Sequence, residues 1–247
     1  MALNTVTRHA DGAVSVPAAR LLGGLFLAQF LLFLIPLVVL GAAINWPASL
    51  GDPAAQVLPR IAANARAVAV GYTGYLLSAI LLAAIAVLLA QLFRDLPHAP
   101  HARSIATLSI VFGSIASFAK LLGITRWLTA MPILAEAFTN PATDGATRAA
   151  LVVVYTTLNA YAGGLGELIG VALFSGLWTL TAAWLVLRAG YPRWLGWFGI
   201  GAGIVSLVLS LELTGVVFDA SFIIVQGIIW QLWMIAMGVV LLFRKAA

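Results

Sequence analysis

Residues 173–208 read LFSGLWTLTAAWLVLRAGYPRWLGWFGIGAGIVSLV, which is two long apolar runs joined by a short basic turn. The turn, RAGYPR at 188–193, holds two arginines and a proline. A membrane-spanning helix needs about 20 apolar residues to cross a hydrocarbon core about 30 Å thick. Arginines beside such runs are typical of the cytoplasmic ends of spanning helices. This stretch therefore predicts a transmembrane helical hairpin whose turn faces the cytoplasm.

The rest of the chain has the same character. Of its 247 residues, 63% are hydrophobic and 9% are charged, whereas soluble domains carry about 25% charged residues. We therefore expect an all-α polytopic membrane helix bundle with about six transmembrane helices. Residues 21–247 should form a single transmembrane domain that follows a cytoplasmic segment, 1–20. The predicted spans are 21–45, 67–93, 104–127, 163–188, 194–216 and 222–243.

The placement of the basic residues predicts the orientation. Eight of the 13 lysines and arginines fall on one side of the predicted bundle, together with both chain ends. Positive charge accumulates on the cytoplasmic side of membrane proteins, so we expect both termini to be cytoplasmic in a bacterial inner (plasma) membrane. The apolar run after residue 20 is too long for a cleaved signal and should stay as an anchor. Because the basic residues are scattered singly, the net charge of +5 does not indicate nucleic acid as a partner.

Residues 146–162, ATRAALVVVYTTLNAYA, do not fit this scheme simply. They are apolar but short, and they run without a turn into GGLGELIG. Three interpretations remain open: a helix on the outer surface, a re-entrant helix, or an extension of the fourth span that breaks at Gly163–Gly164. Glycine pairs are common points of helix kinking.

Four charged residues on three predicted helices fall at similar depth. Counted from the cytoplasmic anchors, Lys120 lies at about 24 Å, Glu212 at about 28 Å and Glu167 at about 31 Å, with Arg126 close to the outer edge. Asp219 falls beyond that edge, in a connector. The four charges form either a structural ion-pair cluster or an outward-facing cavity that binds a ligand or carries protons. A structural cluster would couple Lys120→Met strongly to Glu212→Gln in stability measurements.

Four uncharged side chains are candidates for the wall of such a cavity. Tyr155, Asn159 and Tyr161 precede Glu167, although aromatic residues at this depth are also typical of an interfacial belt. Gln231 lies between two tryptophans in the last span. A buried glutamine needs a hydrogen-bond partner, so it is either structural glue or part of the pocket wall.

Other chemistry is weakly indicated. The chain has no cysteine, which excludes disulfides and thiolate metal sites. His98 and His101 share a loop with only Asp95 as a third ligand, so we expect a solvated loop, no metal site and no cofactor. No phosphate-binding loop, zinc-protease helix or nucleophile elbow is present in the sequence. We therefore do not expect an enzyme, and an intramembrane enzyme ranks third among the function classes.

The hairpin 173–208, with Leu195 and Gly196 following Pro192, resembles a bacterial family of uncharacterised multi-span membrane proteins, domain of unknown function 4386. ARLLGGLFLAQFLL near the start and WQLWMIAMGVVLL near the end are also similar. Lys120, in SFAKLL, stands where the family tends to carry arginine. The resemblance implies a helix bundle of the kind predicted above and implies no known reaction.

These observations lead to two functional hypotheses. The first is an integral membrane binding protein or accessory subunit, whose charged layer contacts a ligand, a lipid headgroup or a partner subunit. Its expected partners are membrane lipids and either a larger membrane complex or a small-molecule ligand. The alternative is a small secondary transporter that uses Glu212 or Glu167 for proton coupling. A discontinuous helix would favour the transporter.

Overall fold

The computed structural model describes residues 16–96 and 98–243, and the regular structure within them is helical. Most of the predicted segment 1–20 lies outside the described residues, as do Arg244 and Lys245. A π-helical segment, Gly164–Phe174, and two 3-10 turns, Ala48–Gly51 and Ser210–Thr214, accompany the α-helices. The α-helices are α1 (Val16–Ile44), α2 (Ala54–Ala63), α3 (Ala65–Phe93), α4 (Ala102–Leu128), α5 (Ala130–Thr139), α6 (Gly145–Gly163), α7 (Ser175–Arg188), α8 (Arg193–Leu209) and α9 (Ala220–Leu242).

Six helical stretches are long and apolar enough to cross a membrane, and each contains or closely matches one of the six predicted spans. Helices suit this environment because they satisfy their backbone hydrogen bonds internally, where no water is available. The prediction of a polytopic all-α bundle is therefore confirmed. The stretches are Val16–Ile44, Ala65–Phe93, Ala102–Thr139, Gly145–Arg188, Arg193–Thr214 and Ser221–Leu242.

The fourth stretch resolves the three interpretations of residues 146–162. α6, the π-helical segment and α7 follow one another as a single helical stretch of 44 residues. A separate surface or re-entrant helix was therefore the wrong interpretation, and an extension of the fourth span was the right one. The glycines do not end the helix; instead, its hydrogen bonding changes from α to π at Gly164.

The bundle is held together by close contacts between helix backbones. A Cβ atom built on Gly123 of α4 would lie 2.5 Å from the Cα of Gly166 in the π-helical segment. One turn deeper, a Cβ on Gly170 would lie 2.9 Å from the backbone nitrogen of Lys120. Small residues allow such approach between helices in lipid, where packing rather than the hydrophobic effect drives association. α4 and the fourth span therefore touch through their backbones.

Two of the spanning stretches are much longer than a bilayer requires. Ala102–Thr139 has 38 residues and Gly145–Arg188 has 44, which correspond to about 57 Å and about 66 Å of helix. The excess projects at the end of the bundle opposite to residues 16 and 243. There α5 and the start of α6 pack with α2. We call the assembly of α2, α5 and the N-terminal half of α6 the cap.

The cap has a hydrophobic core of its own. α2 is amphipathic and buries Val57, Leu58 and Ile61, all at 0% exposure, because its apolar residues recur at helical spacing. These side chains belong to one buried cluster with Met131 of α5 and Tyr155 of α6. The ends of α1, α3 and α4 contribute to the same cluster, so the cap is fastened to the bundle by shared apolar contacts.

Gly123→Ala should destabilise the protein by about 1–3 kcal/mol, because the added methyl group meets the backbone of Gly166, which cannot move aside cheaply. Gly201→Ala is the matched control, since Gly201 is exposed within α8 and a Cβ there would meet no atom within 4 Å. It should leave stability unchanged or slightly higher. Reversible unfolding in sodium dodecyl sulfate, followed by circular dichroism, measures both. Equal losses in the two variants would contradict the backbone contact.

Candidate functional site

Two of the four predicted charges form an ion pair. Arg126, on the last turn of α4, donates from Nη2 to Oε1 of Glu167 at 3.0 Å, and from Nη1 to the carbonyl oxygen of Gly123 at 3.0 Å. The arginine side chain is 4% exposed, whereas that of Glu167 is 47% exposed. The backbone contact between Gly123 and Gly166 brings these two side chains within reach of each other. The pair therefore joins α4 to the fourth span at the cap end.

Lys120 lies six residues, or about 9 Å, deeper along α4 and has a different partner. Its ammonium nitrogen lies 4.8 Å from the ring centre of Trp230 in α9, a cation–π contact. The residue is 7% exposed, and it makes no ion pair with any described residue. Trp230 is held in turn by a hydrogen bond from Nε1 to the hydroxyl of Thr179, at 2.9 Å. Lys120 therefore links α4 to α9 rather than to a carboxylate.

Glu212 lies on the 3-10 turn that follows α8, and that turn packs on the π-helical segment. Its Oε1 accepts from the backbone N–H of Phe218 at 3.3 Å, and it makes no ion pair within the described residues. Glu167 is near enough for the two charges to interact. The four charges thus divide into one ion pair, one lysine on a tryptophan ring and one carboxylate that accepts from a backbone N–H.

Asp219 has a structural role that its position in a connector did not reveal. It is the N-cap residue of α9, and its carboxylate accepts from the backbone N–H and the hydroxyl of Ser221. These hydrogen bonds lower the pKa of the Asp219 carboxyl. An aspartate in this position satisfies N–H groups that the first turn of a helix leaves without partners.

A cavity of about 40 Å³ lies beside the ion pair, beneath the cap. We call it the cap cavity. Its wall includes the tryptophans of the α1–α2 connector and of the last turn of α4. The side chains that line it and carry a polar group are Trp46, Tyr72, Tyr75, Lys120, Arg126, Trp127 and Glu167.

Several polar atoms in and around the cap cavity have no hydrogen-bond partner among the described residues. They include Nε of Arg126 and the hydroxyl of Tyr72, both of which are buried. The hydroxyl of Tyr155 and Oδ1 of Asn159, on the neighbouring α6, are in the same condition. Buried polar groups in folded proteins nearly always have partners. Four such atoms therefore lie close to the ion pair and the cap cavity.

None of the four side chains predicted for the wall lines the cap cavity. Tyr155 is buried in the cap core, and Asn159 donates from Nδ2 to the carbonyl oxygen of Leu50, which lines the cavity. Tyr161 is 69% exposed and does not line the cavity. Gln231 is buried within α9, away from the cavity, and its Oε1 has no partner among the described residues. α6 therefore lies beside the cavity without lining it.

Sequence reasoning missed the two tyrosines of α3, Tyr72 and Tyr75. They lie in GYTGY, about 33 Å and about 29 Å from Arg94 by residue counting, which is the depth of the charged layer. That depth was the available signal. Tyr72 stacks on Trp127, with ring centres 4.9 Å apart and planes at 8°, and this contact turns the phenol towards α4.

Glu167 lies in the first turn of an unusual element. The π-helical segment spans 11 residues, whereas most π-helices are single turns and are frequent at functional sites. The hydroxyl of Ser175 donates to the carbonyl oxygen of Gly170 at 2.8 Å, which satisfies a backbone group within the segment. No group of three or more potential metal ligands occurs within residues 16–96 and 98–243. His98 and His101 are exposed there.

The family model described as a domain of unknown function (DUF4386) matches residues 21–238. The match covers most of the chain, so the chain belongs to this family. No curated protein and no solved structure matches it. With six stretches suited to crossing a bilayer, the chain is a multi-pass integral membrane protein of unknown function.

The ion pair should appear as an interaction energy in a double-mutant cycle. Arg126→Met and Glu167→Gln should be coupled by about 0.5–1.5 kcal/mol, a modest value because the carboxylate stays partly solvated. The control cycle combines Lys120→Met with Glu212→Gln. It should be additive within about 0.5 kcal/mol, since these side chains contact different partners. Unfolding in sodium dodecyl sulfate gives both energies. Stronger coupling in the control cycle would mean that the four charges form one cluster.

Proposed function

We propose that the chain is an integral membrane binding protein or accessory subunit whose cap cavity holds a small polar ligand. In this proposal, both termini are cytoplasmic and the cap projects from the outer face of a bacterial inner (plasma) membrane. The basic residues favour that orientation. Lys120, Arg126, Glu167 and Glu212 belong to the proposed site, together with Tyr72 and Tyr75.

One observation carries the proposal: the buried donors of Arg126 and Tyr72 border the same cavity and have no partner among the described residues. Leaving a buried donor unsatisfied costs about 1–3 kcal/mol. A cavity lined by such donors is stabilised by any molecule that supplies acceptors. Ligand sites typically combine apolar and aromatic walls with a few convergent polar groups, and the tryptophans and tyrosines around this cavity match that pattern.

The position of the cavity also favours binding. It lies where α3, α4 and the fourth span meet the cap, so its walls come from long helices that are fixed by packing. The exposed part of Glu167 marks its rim. A ligand can therefore reach a preorganised set of donors without a large rearrangement, which lowers the entropic cost of association.

Native mass spectrometry of the protein purified in mild detergent tests this function. We expect a bound small mass, or a partner protein, in stoichiometric amount. Tyr72→Phe should reduce the occupancy of a small ligand about tenfold through the loss of one hydrogen bond. Tyr161→Phe is the matched control, because that tyrosine is exposed and away from the cavity. A protein that carries nothing would leave the charges a structural role only.

A second candidate function, a small secondary transporter, is favoured by the π-helical segment. Glu167 lies in this irregular stretch of the fourth span, and Glu212 is its neighbour on another element. Transporters often place coupling groups where a spanning helix departs from regular geometry. In this mechanism the Glu167 carboxylate would alternate between two states: bound to a proton, or ionised and paired with Arg126.

In proteoliposomes loaded with a pH-sensitive dye, a proton-coupled transporter should acidify the interior when a mixed pool of small solutes is added outside. Glu167→Gln should slow this acidification at least tenfold, on the order of a lost essential proton carrier. Glu136→Gln, which changes an exposed carboxylate on α5, should not. Equal rates for wild type and Glu167→Gln, or no dependence on solute, would exclude the transporter.

A further inference from the structure

Two buried donors at the cap cavity have no partner among the described residues. Arg126 uses Nη1 and Nη2 for Gly123 and Glu167, while its buried Nε has no partner in the described part of the chain. The buried hydroxyl of Tyr72 is equally unpartnered. A guanidinium in a protein keeps all its N–H donors because it does not lose its proton. The Nε–H group therefore needs an acceptor, and the described residues do not supply one.

Two of the acceptors at the cavity wall are already engaged. Oε1 of Glu167 receives the hydrogen bond from Arg126. The carbonyl oxygen of Leu50 receives one from Nδ2 of Asn159, at 3.0 Å. The Nε–H of Arg126 and the hydroxyl of Tyr72 remain as buried donors without partners among the described residues, and a ligand with acceptor atoms would satisfy them.

The charge of the lining points the same way. Lys120 and Arg126 oppose Glu167 alone, so the residues that line the cavity have a formal charge of +1. The ammonium of Lys120 has a tryptophan ring and, within the described residues, no carboxylate at ion-pair distance. Glu212 does not line the cavity and accepts from a backbone N–H instead. An anionic group would balance this surplus.

The size of the cavity restricts the anion. A volume of about 40 Å³ holds about three water-sized groups, at roughly 10–15 Å³ each. A carboxylate group has three heavy atoms. The rings of Trp46, Tyr75 and Trp127 border the same space and lower the local dielectric, which strengthens hydrogen bonds to a charged acceptor.

We propose that the cap cavity binds a carboxylate group, whose oxygens accept from Nε of Arg126 and from the hydroxyl of Tyr72. This inference rests on the proposed binding function and names its ligand class. The Nε–H of arginine suits a carboxylate because a hydrogen bond between two charged groups is shorter and stronger than one between neutral groups. The remainder of the ligand leaves past the exposed edge of Glu167. The carboxylate belongs to a small soluble acid or to a fatty acid of the bilayer, and the two share the same chemistry.

The test uses the full chain in mild detergent and chloride buffer. The probes are sodium acetate with acetamide as its neutral counterpart, and sodium dodecanoate with dodecanol as its neutral counterpart. Isothermal titration calorimetry and thermal unfolding report binding. We expect at least one carboxylate to bind saturably and its neutral counterpart to bind at least tenfold more weakly, since a hydrogen bond to a charged group is the stronger one.

Variants assign the binding to these two side chains. Tyr72→Phe should weaken carboxylate binding about tenfold. It should fold like the wild type, because it removes an unpartnered hydroxyl and keeps the ring on Trp127. Arg126→Lys retains a cation for Glu167 but removes Nε, and it should weaken binding at least as much. Tyr161→Phe, outside the cavity, should bind with wild-type affinity.

The outcomes separate the two carboxylate sources and the two levels of the proposal. Binding of acetate supports a soluble acid, and binding of dodecanoate alone supports a fatty acid. Equal binding of the neutral counterparts, still weakened by Tyr72→Phe, would overturn the carboxylate assignment while keeping a binding cavity. If both Tyr72→Phe and Arg126→Lys bind the carboxylate with wild-type affinity, the assignment of the carboxylate to the cap cavity is wrong. No binding of any probe would overturn this inference, and native mass spectrometry then decides separately whether the binding function stands.

Discussion

The contact between Gly123 and Gly166 is the constraint on which the site depends. Without side chains at these positions, α4 and the π-helical segment approach backbone to backbone. That approach puts a guanidinium and a carboxylate from different spans within 3.0 Å of each other. It also leaves the larger side chains of α3 and of the α1–α2 connector to surround the space above the contact. The ion pair and the cap cavity are thus two results of the same packing.

Much of the fold could be predicted from the sequence, because crossing a bilayer imposes a length and a composition that can be counted. The six spans follow from apolar runs such as 173–208 and from the basic turns between them. The cap could not be predicted in the same way. α2 is only 10 residues long, contains proline, and gains its stability from Met131 and Tyr155, which are distant in sequence. Nothing local distinguishes such a helix from a connector.

The candidate site shows where counting residues stops being informative. Depth along a helix gives the height of a side chain but not the direction in which it faces. Counting therefore placed Lys120, Arg126, Glu167 and Glu212 in one layer. Of these four, the structure joins Arg126 and Glu167 in an ion pair. The tyrosines of α3 share that layer, yet they look like an interfacial belt until the stacking of Tyr72 on Trp127 fixes their direction.

The continuity of the long helices has a consequence for how the molecule is built. α5 is separated from α4 by a single residue, and α6 passes into the fourth span without a linker. The apolar cluster of the cap includes side chains from the ends of α1, α3 and α4. The cap is therefore not an independent domain: it could not be cut free or transplanted as a soluble unit, and loosening it would expose apolar side chains of the bundle. Evolution of the cap surface is tied to the register of the spans to which it is joined.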